Sequence, residues 1–277
     1  MTLMLTRLGT PFLVTVLVVA ATVLAYGLNL VNRSPLVRAL SSALFLASLG
    51  TMSWIIGDRY VEAGRPPFKT LFESLVLFGW SIAFVYVIVE RFYRLALLGF
   101  LAVLFVLGIF GYAILKADVD IISLPAALQS GWFIPHVVVY FLGYAALFVG
   151  TAIAAIFLVK PQGTVTFTNL SGERTIEYGD LMHTVIRFGF ALITVGLVIG
   201  AVWAKSAWGD YWVWDPKENW SLITWLIYII YLHLRTTPGW SRKASAWLLI
   251  LGFAAVMFTY LGMNMLPTAE QSEHVYQ

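Results

Sequence analysis

Cysteine is absent from all 277 residues. That gap closes off disulfides, thiolate metal sites, thiol–disulfide exchange and iron–sulfur ligation by this chain, and with them a Cys-x-x-Cys-His haem attachment site. Charge is scarce too. Only 11% of residues are charged against 60% hydrophobic, whereas a soluble globular domain carries about a quarter charged residues. A water-soluble enzyme and a disordered tail are thereby excluded. Nucleic acid is excluded as a partner as well: 17 Lys+Arg against 14 Asp+Glu leave a net charge of +3, and the basic residues are spread along the chain, as at a membrane surface. Histidine occurs four times, at His136, His183, His233 and His274. Aromatic residues, by contrast, are plentiful at 16%, with 11 Trp, and mean hydropathy is +0.86.

A membrane-spanning helix needs roughly 20 mostly apolar residues. Eight stretches qualify, at about 11–30, 37–56, 71–89, 93–115, 134–159, 185–206, 219–235 and 244–266. The first is too long for a signal-peptide core and lacks a small-x-small cleavage site before Asn32, so it counts as a span. Connections are short except over 116–133 and 160–184, and no repeat or separate soluble domain is visible. The expected fold is all-α: one polytopic domain over 1–277 with about eight transmembrane helices in a lipid bilayer. Eight spans put both termini on one side. That side carries Arg7, Arg59, Arg65, Lys69, Lys116, Lys205 and Lys217 with at least nine acids; the other carries ten basic residues, among them Arg33, Arg38, Arg187 and Arg235, against Glu90, Glu173, Glu177 and Asp180. The positive-inside rule makes the second side cytoplasmic, so both termini and the loop 207–218 are expected to face outward.

Six of the 11 tryptophans fall within residues 203–225. An aromatic belt explains a lone Trp at a helix end, but Trp208, Trp212 and Trp214 crowd one connecting loop. Flat apolar faces with N–H handles suit a large, flat, apolar ligand with polar edges, such as a porphyrin. Asp215-Pro216-Lys217-Glu218 reads as a helix start, with Asp as N-cap, Pro at N1 and Glu at N3; fixing the loop to the helix would serve a site as well. Gly209 fits a tight turn between Trp208 and Trp212. The approach Pro66-Pro67-Phe68-Lys69-Thr70 to Glu73 has a capping explanation.

Imidazole is an axial ligand for haem iron. A lone His near a membrane end is commonly an interfacial polar group, yet His136 opens helix 5 on the outer side and His274 lies in the outer tail, both within reach of the Trp-rich loop. Two neutral imidazoles on opposite porphyrin faces would give six-coordinate iron. His233 lies roughly 20 Å deeper along helix 7, too far to share that porphyrin, and ionisable residues at such depth are functional candidates; a snorkelling His beside Arg235 is the plainer alternative. His183 could face His233, but interface polarity explains it equally well. The spacing thus suggests an inner and an outer haem position.

Trp208-Gly209-x-Tyr-Trp212-x-Trp214-Asp215-Pro-Lys-Glu resembles the WWD signature of the haem-handling proteins of cytochrome c maturation. The continuation Ser221-Leu222-Ile223-Thr224-Trp225, then Tyr231-Leu232-His233-x-Arg235, looks like the CcsA/ResC branch (System II) rather than CcmC or CcmF. Further matching pieces are Leu128-Gln129-Ser130-x-Trp132 through His136-Val137, Gly200-Ala201-Val202-Trp203-Ala204 and Gly262-x-Asn264-x-Leu266, so the resemblance covers roughly residues 60–277. It implies a chain that, with a CcsB-like membrane partner, moves haem b outward and presents it to apocytochrome c, whose Cys-x-x-Cys-His takes the thioether bonds. By position, His136 and His274 match the family's external haem ligands and His233 its intramembrane ligand, with the second inner ligand on the partner. Two departures stand out: the gap from Asn264 to His274 is longer than usual, and position 183 commonly carries another residue. The implied location is the bacterial cytoplasmic membrane, or the thylakoid for a plastid-type protein. No general acid or base is identifiable, so none is assigned; the resemblance implies part of a holocytochrome c synthase complex rather than an enzyme alone. The competing readings are a b-type haem or quinol-linked electron-transfer subunit, and a small-molecule transporter.

Overall fold

The computed structural model describes residues 2–116, 119–169 and 172–262. Eight α-helices run α1 (Thr2–Val31), α2 (Pro35–Ala63), α3 (Leu71–Tyr93), α4 (Ala96–Lys116), α5 (Phe133–Val159), α6 (Tyr178–Trp208), α7 (Pro216–Thr236) and α8 (Arg242–Tyr260). The all-α polytopic architecture expected from hydropathy is therefore present. Seven helices are long and apolar enough to cross a membrane. The eighth, α7, opens on Pro-Lys-Glu-Asn and closes on His233-Leu-Arg235, and these polar ends shorten its apolar stretch. Helix α6 begins at Tyr178, well before the expected 185. The long connection ahead of it holds something hydropathy did not suggest, a hairpin of β1 (Thr164–Asn169) and β2 (Gly172–Glu177).

Contacts gather in two compact units, one of residues 1–123 with 165–175, the other of residues 124–164 with 176–277. Within each unit the helices pack in chain order and close a ring: α1 on α2, α2 on α3, α3 on α4 and α4 on α1; then α5 on α6, α6 on α7, α7 on α8 and α8 on α5.

In the first unit the α3 capping box sets the helix start. Thr70 Oγ1 accepts from the Glu73 amide (3.1 Å) while Glu73 Oε2 accepts from the Lys69 and Thr70 amides (2.8 and 3.2 Å). Glu73 is buried, and Arg65 pairs with it through two parallel hydrogen bonds of 3.0 and 3.1 Å, the geometry that makes an ion pair strong. Near the other end of α3, Glu90 Oε1 accepts from the hydroxyls of Tyr26, Tyr86 (3.0 Å) and Ser42 (3.0 Å). Gly99 gives the two tyrosine rings their room: a Cβ there would lie 2.1 Å from Tyr26 Cε1. Phe167 of the hairpin packs on Tyr93, ring centres 5.1 Å apart.

In the second unit α5 and α6 approach closely because small residues line their contact. A Cβ on Gly143 would stand 2.7 Å from Ile193 Cγ2, and one on Gly189 would stand 3.1 Å from the backbone nitrogen of Leu147. The α6–α7 pairing is the thinnest of the ring and the most polar, with Arg235–Asp180, His183–Tyr231 and Trp225–Thr194 contacts along it.

Candidate functional site

The 209–215 loop joins α6 to α7, so one end of the second unit carries that loop, the start of α5 and the end of α8. The opposite end carries the start of α6 and the end of α7. Of the histidines, His136 lies at the loop end and His183 and His233 at the opposite end; His274, expected beside His136, lies outside the described residues.

At the loop end, helix α6 stops because Gly209 takes φ 94°, its N–H still bonded to the Lys205 carbonyl at 3.2 Å. That left-handed conformation is one a side chain would strain, in keeping with the turn expected there. Helix α7 starts on the capping box read from the sequence. Asp215 Oδ1 accepts from the Lys217 amide at 2.7 Å, and Glu218 Oε2 accepts from the Asp215 amide at 3.1 Å. Glu218 also takes the amide of Val213 at 2.9 Å, and Asn219 Nδ2 donates to the Trp214 carbonyl at 2.9 Å. Trp214 is thus clamped on both sides, and it needs to be: it sits at φ 59°, a conformation costing a bulky residue about 1–3 kcal/mol. Its ring is 67% exposed and meets Trp212 edge-on at 6.0 Å. The Trp212 Nε1 atom is buried and has no hydrogen-bond partner among the described residues.

His136 stands one turn into α5. Its Nδ1 lies 2.9 Å from the Gly196 carbonyl of α6. A carbonyl only accepts, so Nδ1 is the protonated nitrogen, and in the neutral ring the lone pair is on Nε2. Trp203 stacks on the ring at 5.6 Å and Tyr140 tilts against it at 5.0 Å. Trp203 in turn is buried, donates Nε1–H to the Ala127 carbonyl at 2.9 Å, and touches Trp208 edge-on at 4.8 Å. Gly200 completes the bed, since a Cβ there would come within 2.6 Å of His136 Cε1. The structure thus brings His136 and Trp208 into one cluster through Trp203, and Trp212 and Trp214 into a pair on the adjoining loop. Tyr140, Gly196 and Gly200 were not singled out as site residues from sequence. The signal was there as spacing: 136 and 140 are one turn apart on α5, and 196, 200 and 203 share a face of α6.

At the opposite end, His233 is in the last turn of α7 with its side chain exposed, 17 residues and roughly 25 Å of helix rise from Pro216. His183 does not face it. The Nδ1 of His183 lies 3.3 Å from the Tyr231 hydroxyl, and positions 231 and 233 are about 200° apart around a helix. No group of three or more His, Cys, Asp or Glu able to hold a bare metal ion occurs among the described residues.

Comparison with known proteins gives one consistent result. The cytochrome C assembly protein family matches residues 68–269. The chain is 35% identical over 309 residues to a cytochrome c biogenesis protein CcsA of Synechocystis sp., covering 90% of this chain and 92% of that one. It is 37% identical over 238 residues to a CcsA of Guillardia theta, covering 78% and 79%. Among solved structures, a cytochrome c haem lyase CcmF superposes with a TM-score of 0.69 at 20% identity, over 91% of this chain and 47% of that chain. The fold is shared, and this chain spans about half of that larger protein.

Proposed function

The chain belongs to the cytochrome c assembly protein family, among its CcsA members, and we propose that within cytochrome c biogenesis it presents haem b for covalent attachment to apocytochrome c at the loop end of α5 and α6. It is an integral membrane protein, with the loop end facing outward in the proposed orientation. Haem here is substrate, held and released rather than retained.

One observation carries this reading. His136 is a polar ring among aromatic faces, its Nδ1–H committed to a backbone carbonyl and its orientation fixed by Gly200, Trp203 and Tyr140. A ring whose Nδ1–H is held by a carbonyl is oriented and strengthened as an iron ligand through Nε2. His274 supplies the opposite axial ligand in this proposal. Trp208, Gly209, Trp212, Trp214 and Asp215 shape the adjoining aromatic floor, with Glu218 holding it. Bis-histidine ligation sets the iron potential, while the protein's share in thioether formation is to orient the vinyl groups toward the incoming thiols. The inner position uses His233, whose exposure on α7 suits an iron whose second ligand comes from a CcsB-like partner.

The test is the visible spectrum of purified protein beside His136→Ala and His233→Ala, with and without imidazole. Low-spin bis-histidine bands are expected for the unaltered chain. Haem should be lost from His136→Ala and regained when imidazole fills the vacancy. If both variants keep full haem, these histidines are not ligands and the proposal fails. Haem that stays bound and never transfers to an apocytochrome would make the chain an electron carrier.

A further inference from the structure

The first unit holds a cavity of about 560 Å³ where α1 begins and α2 ends. The two helices pack side by side, and the apolar span of α1 starts at Gly9 on the cavity wall, so the cavity lies at a membrane boundary. Its floor is apolar, made by buried Phe12, Ile55 and Phe72. Its rim is charged, with Asp58, Glu62 and Asp120 around Arg59. These charges are not settled among themselves. Asp58 and Asp120 are exposed and enter no ion pair among the described residues. Glu62 lies 3.6 Å from Arg59 Nη1 and Glu73 3.7 Å from Nη2, both beyond hydrogen-bond length. Arg59 Nη2 donates instead to the Val119 carbonyl at 2.8 Å, and the guanidinium lies over the Phe72 ring at 5.5 Å. Arg59 is thus pinned, its side chain only 12% exposed, while its Nε is buried with no hydrogen-bond partner among the described residues. Backbone donors lie close by. Gly9, at φ 74° and ψ 161°, breaks α1, so a fresh helical turn starts at Thr10 and Pro11 on the same wall, and the leading amides of such a turn have no acceptor within the helix.

An oxyanion suits the open Nε and the helix start. An ammonium suits the three carboxylates. A ligand of one charge alone leaves the other set unmet. We propose that this cavity takes the headgroup of a phospholipid that carries both a phosphate and a protonated primary amine, as phosphatidylethanolamine does. The phosphate accepts from Arg59 Nε, the ammonium donates to the rim carboxylates, and the glycerol and upper acyl carbons cover Phe12, Ile55 and Phe72. The ligand's own charges cancel, so binding adds no net charge at the bilayer boundary. The cavity volume is that of a small-ligand site, about 300–1,000 Å³.

The experiment uses the full chain, purified and stripped of lipid in detergent. Phosphatidylethanolamine, phosphatidylcholine and phosphatidylglycerol are added in turn, and bound lipid is counted by native mass spectrometry. Phosphatidylcholine keeps the phosphate and the positive charge but has no N–H to donate; phosphatidylglycerol keeps the phosphate alone. Phosphatidylethanolamine should bind about tenfold more tightly than either, the size of one charge-assisted hydrogen bond. Asp58→Asn combined with Asp120→Asn should bring its preference over phosphatidylcholine near one. Both side chains are exposed and unpaired among the described residues, so the fold, followed by size exclusion and circular dichroism, should hold. Arg59→Lys keeps a cation but removes Nε, and should weaken all three lipids together. Glu173→Gln, at an exposed acid of the hairpin, is the control and should change nothing. Equal binding of the three lipids by the parent overturns the site. A preference that survives the double substitution, or binding unaltered in Arg59→Lys, does so too. Tighter binding of phosphatidylglycerol overturns it in favour of an anionic-lipid contact at Arg59. Displacement of the lipid by equimolar glycerophosphoethanolamine would make this a site for a free zwitterion and sink the lipid assignment.

Discussion

The two four-helix rings differ in where their polar groups lie and what meets them. In the first, the acids of α3 are met from inside: buried Glu73 by Arg65 and two backbone amides, half-buried Glu90 by Tyr26, Tyr86 and Ser42. In the second, the polar groups of the loop and of the α6–α7 seam stay partly unmatched, at Trp212 Nε1 and Arg235 Nε, while His136 is oriented but not enclosed. A buried polar atom without a partner costs about 1–3 kcal/mol; among the described residues the first unit has one at Arg59 Nε, while in the second Trp212 Nε1 and Arg235 Nε lie at the loop and at the seam. The first ring is built to stay as it is.

The sharpest way to break that contrast is at Gly99. Replacing it with valine drives a side chain into Tyr26 and Tyr86, where even a Cβ stands at 2.1 and 2.2 Å. The expected result is loss of folded protein in detergent, seen as an aggregated elution profile, because overpacking of this depth exceeds the usual penalty of about 1–3 kcal/mol. Glu73→Gln comes next. It leaves Arg65 buried opposite a neutral amide, and breaking such a pair costs about 3–5 kcal/mol; thermal denaturation should fall by many degrees with haem ligation unaltered in whatever remains folded.

Substitutions in the second ring should reverse the pattern, with small stability changes and large ligand effects. Gly200→Ala pushes on the His136 ring at 2.6 Å. Its signature is a shifted or weakened Soret band that imidazole restores, with a melting temperature close to the parent's. A melting loss as large as that of Glu73→Gln would erase the distinction between the rings. Glu218→Ala releases the amides flanking Trp214 and should cost about 1 kcal/mol as a lost cap, with Trp214 fluorescence reporting a looser loop. Smallest is Trp212→Phe. It removes an N–H that has no partner among the described residues, so stability should hold within about 0.5 kcal/mol, while haem affinity drops if that N–H meets the ligand.

The sequence disclosed these elements unequally, for physical reasons. Long apolar runs have one outlet in a bilayer, which is why eight helices were legible, and the Asp215-Pro216-Lys217-Glu218 cap was legible because capping is local chemistry. The hairpin at 164–177 was not: Thr-Val-Thr-Phe-Thr alternates over too few residues to stand out between two spans, and Leu170-Ser171 is a weak turn signal. The bed of His136 was hidden because Tyr140, Gly196 and Gly200 matter only once α5 and α6 lie side by side. His183 could be placed near helix 7 but not oriented; only the helical phase of Tyr231 decides which residue it meets. The loop tryptophans were conspicuous as composition, whereas the carboxylate that clamps Trp214 had looked like an ordinary cap.

Rings that close within one stretch of the chain have a consequence for how the protein is made. A growing chain leaves the ribosome N-terminus first, and α1 to α4 can close their ring as soon as α4 emerges, without waiting for anything downstream. Phe167 is the late arrival. It reaches Tyr93 only after the whole of α5 has been synthesised, so the hairpin fastens onto a ring that is already assembled, and a ribosome stalled between α4 and the hairpin should carry a protease-resistant first unit whose Tyr93 is still uncovered.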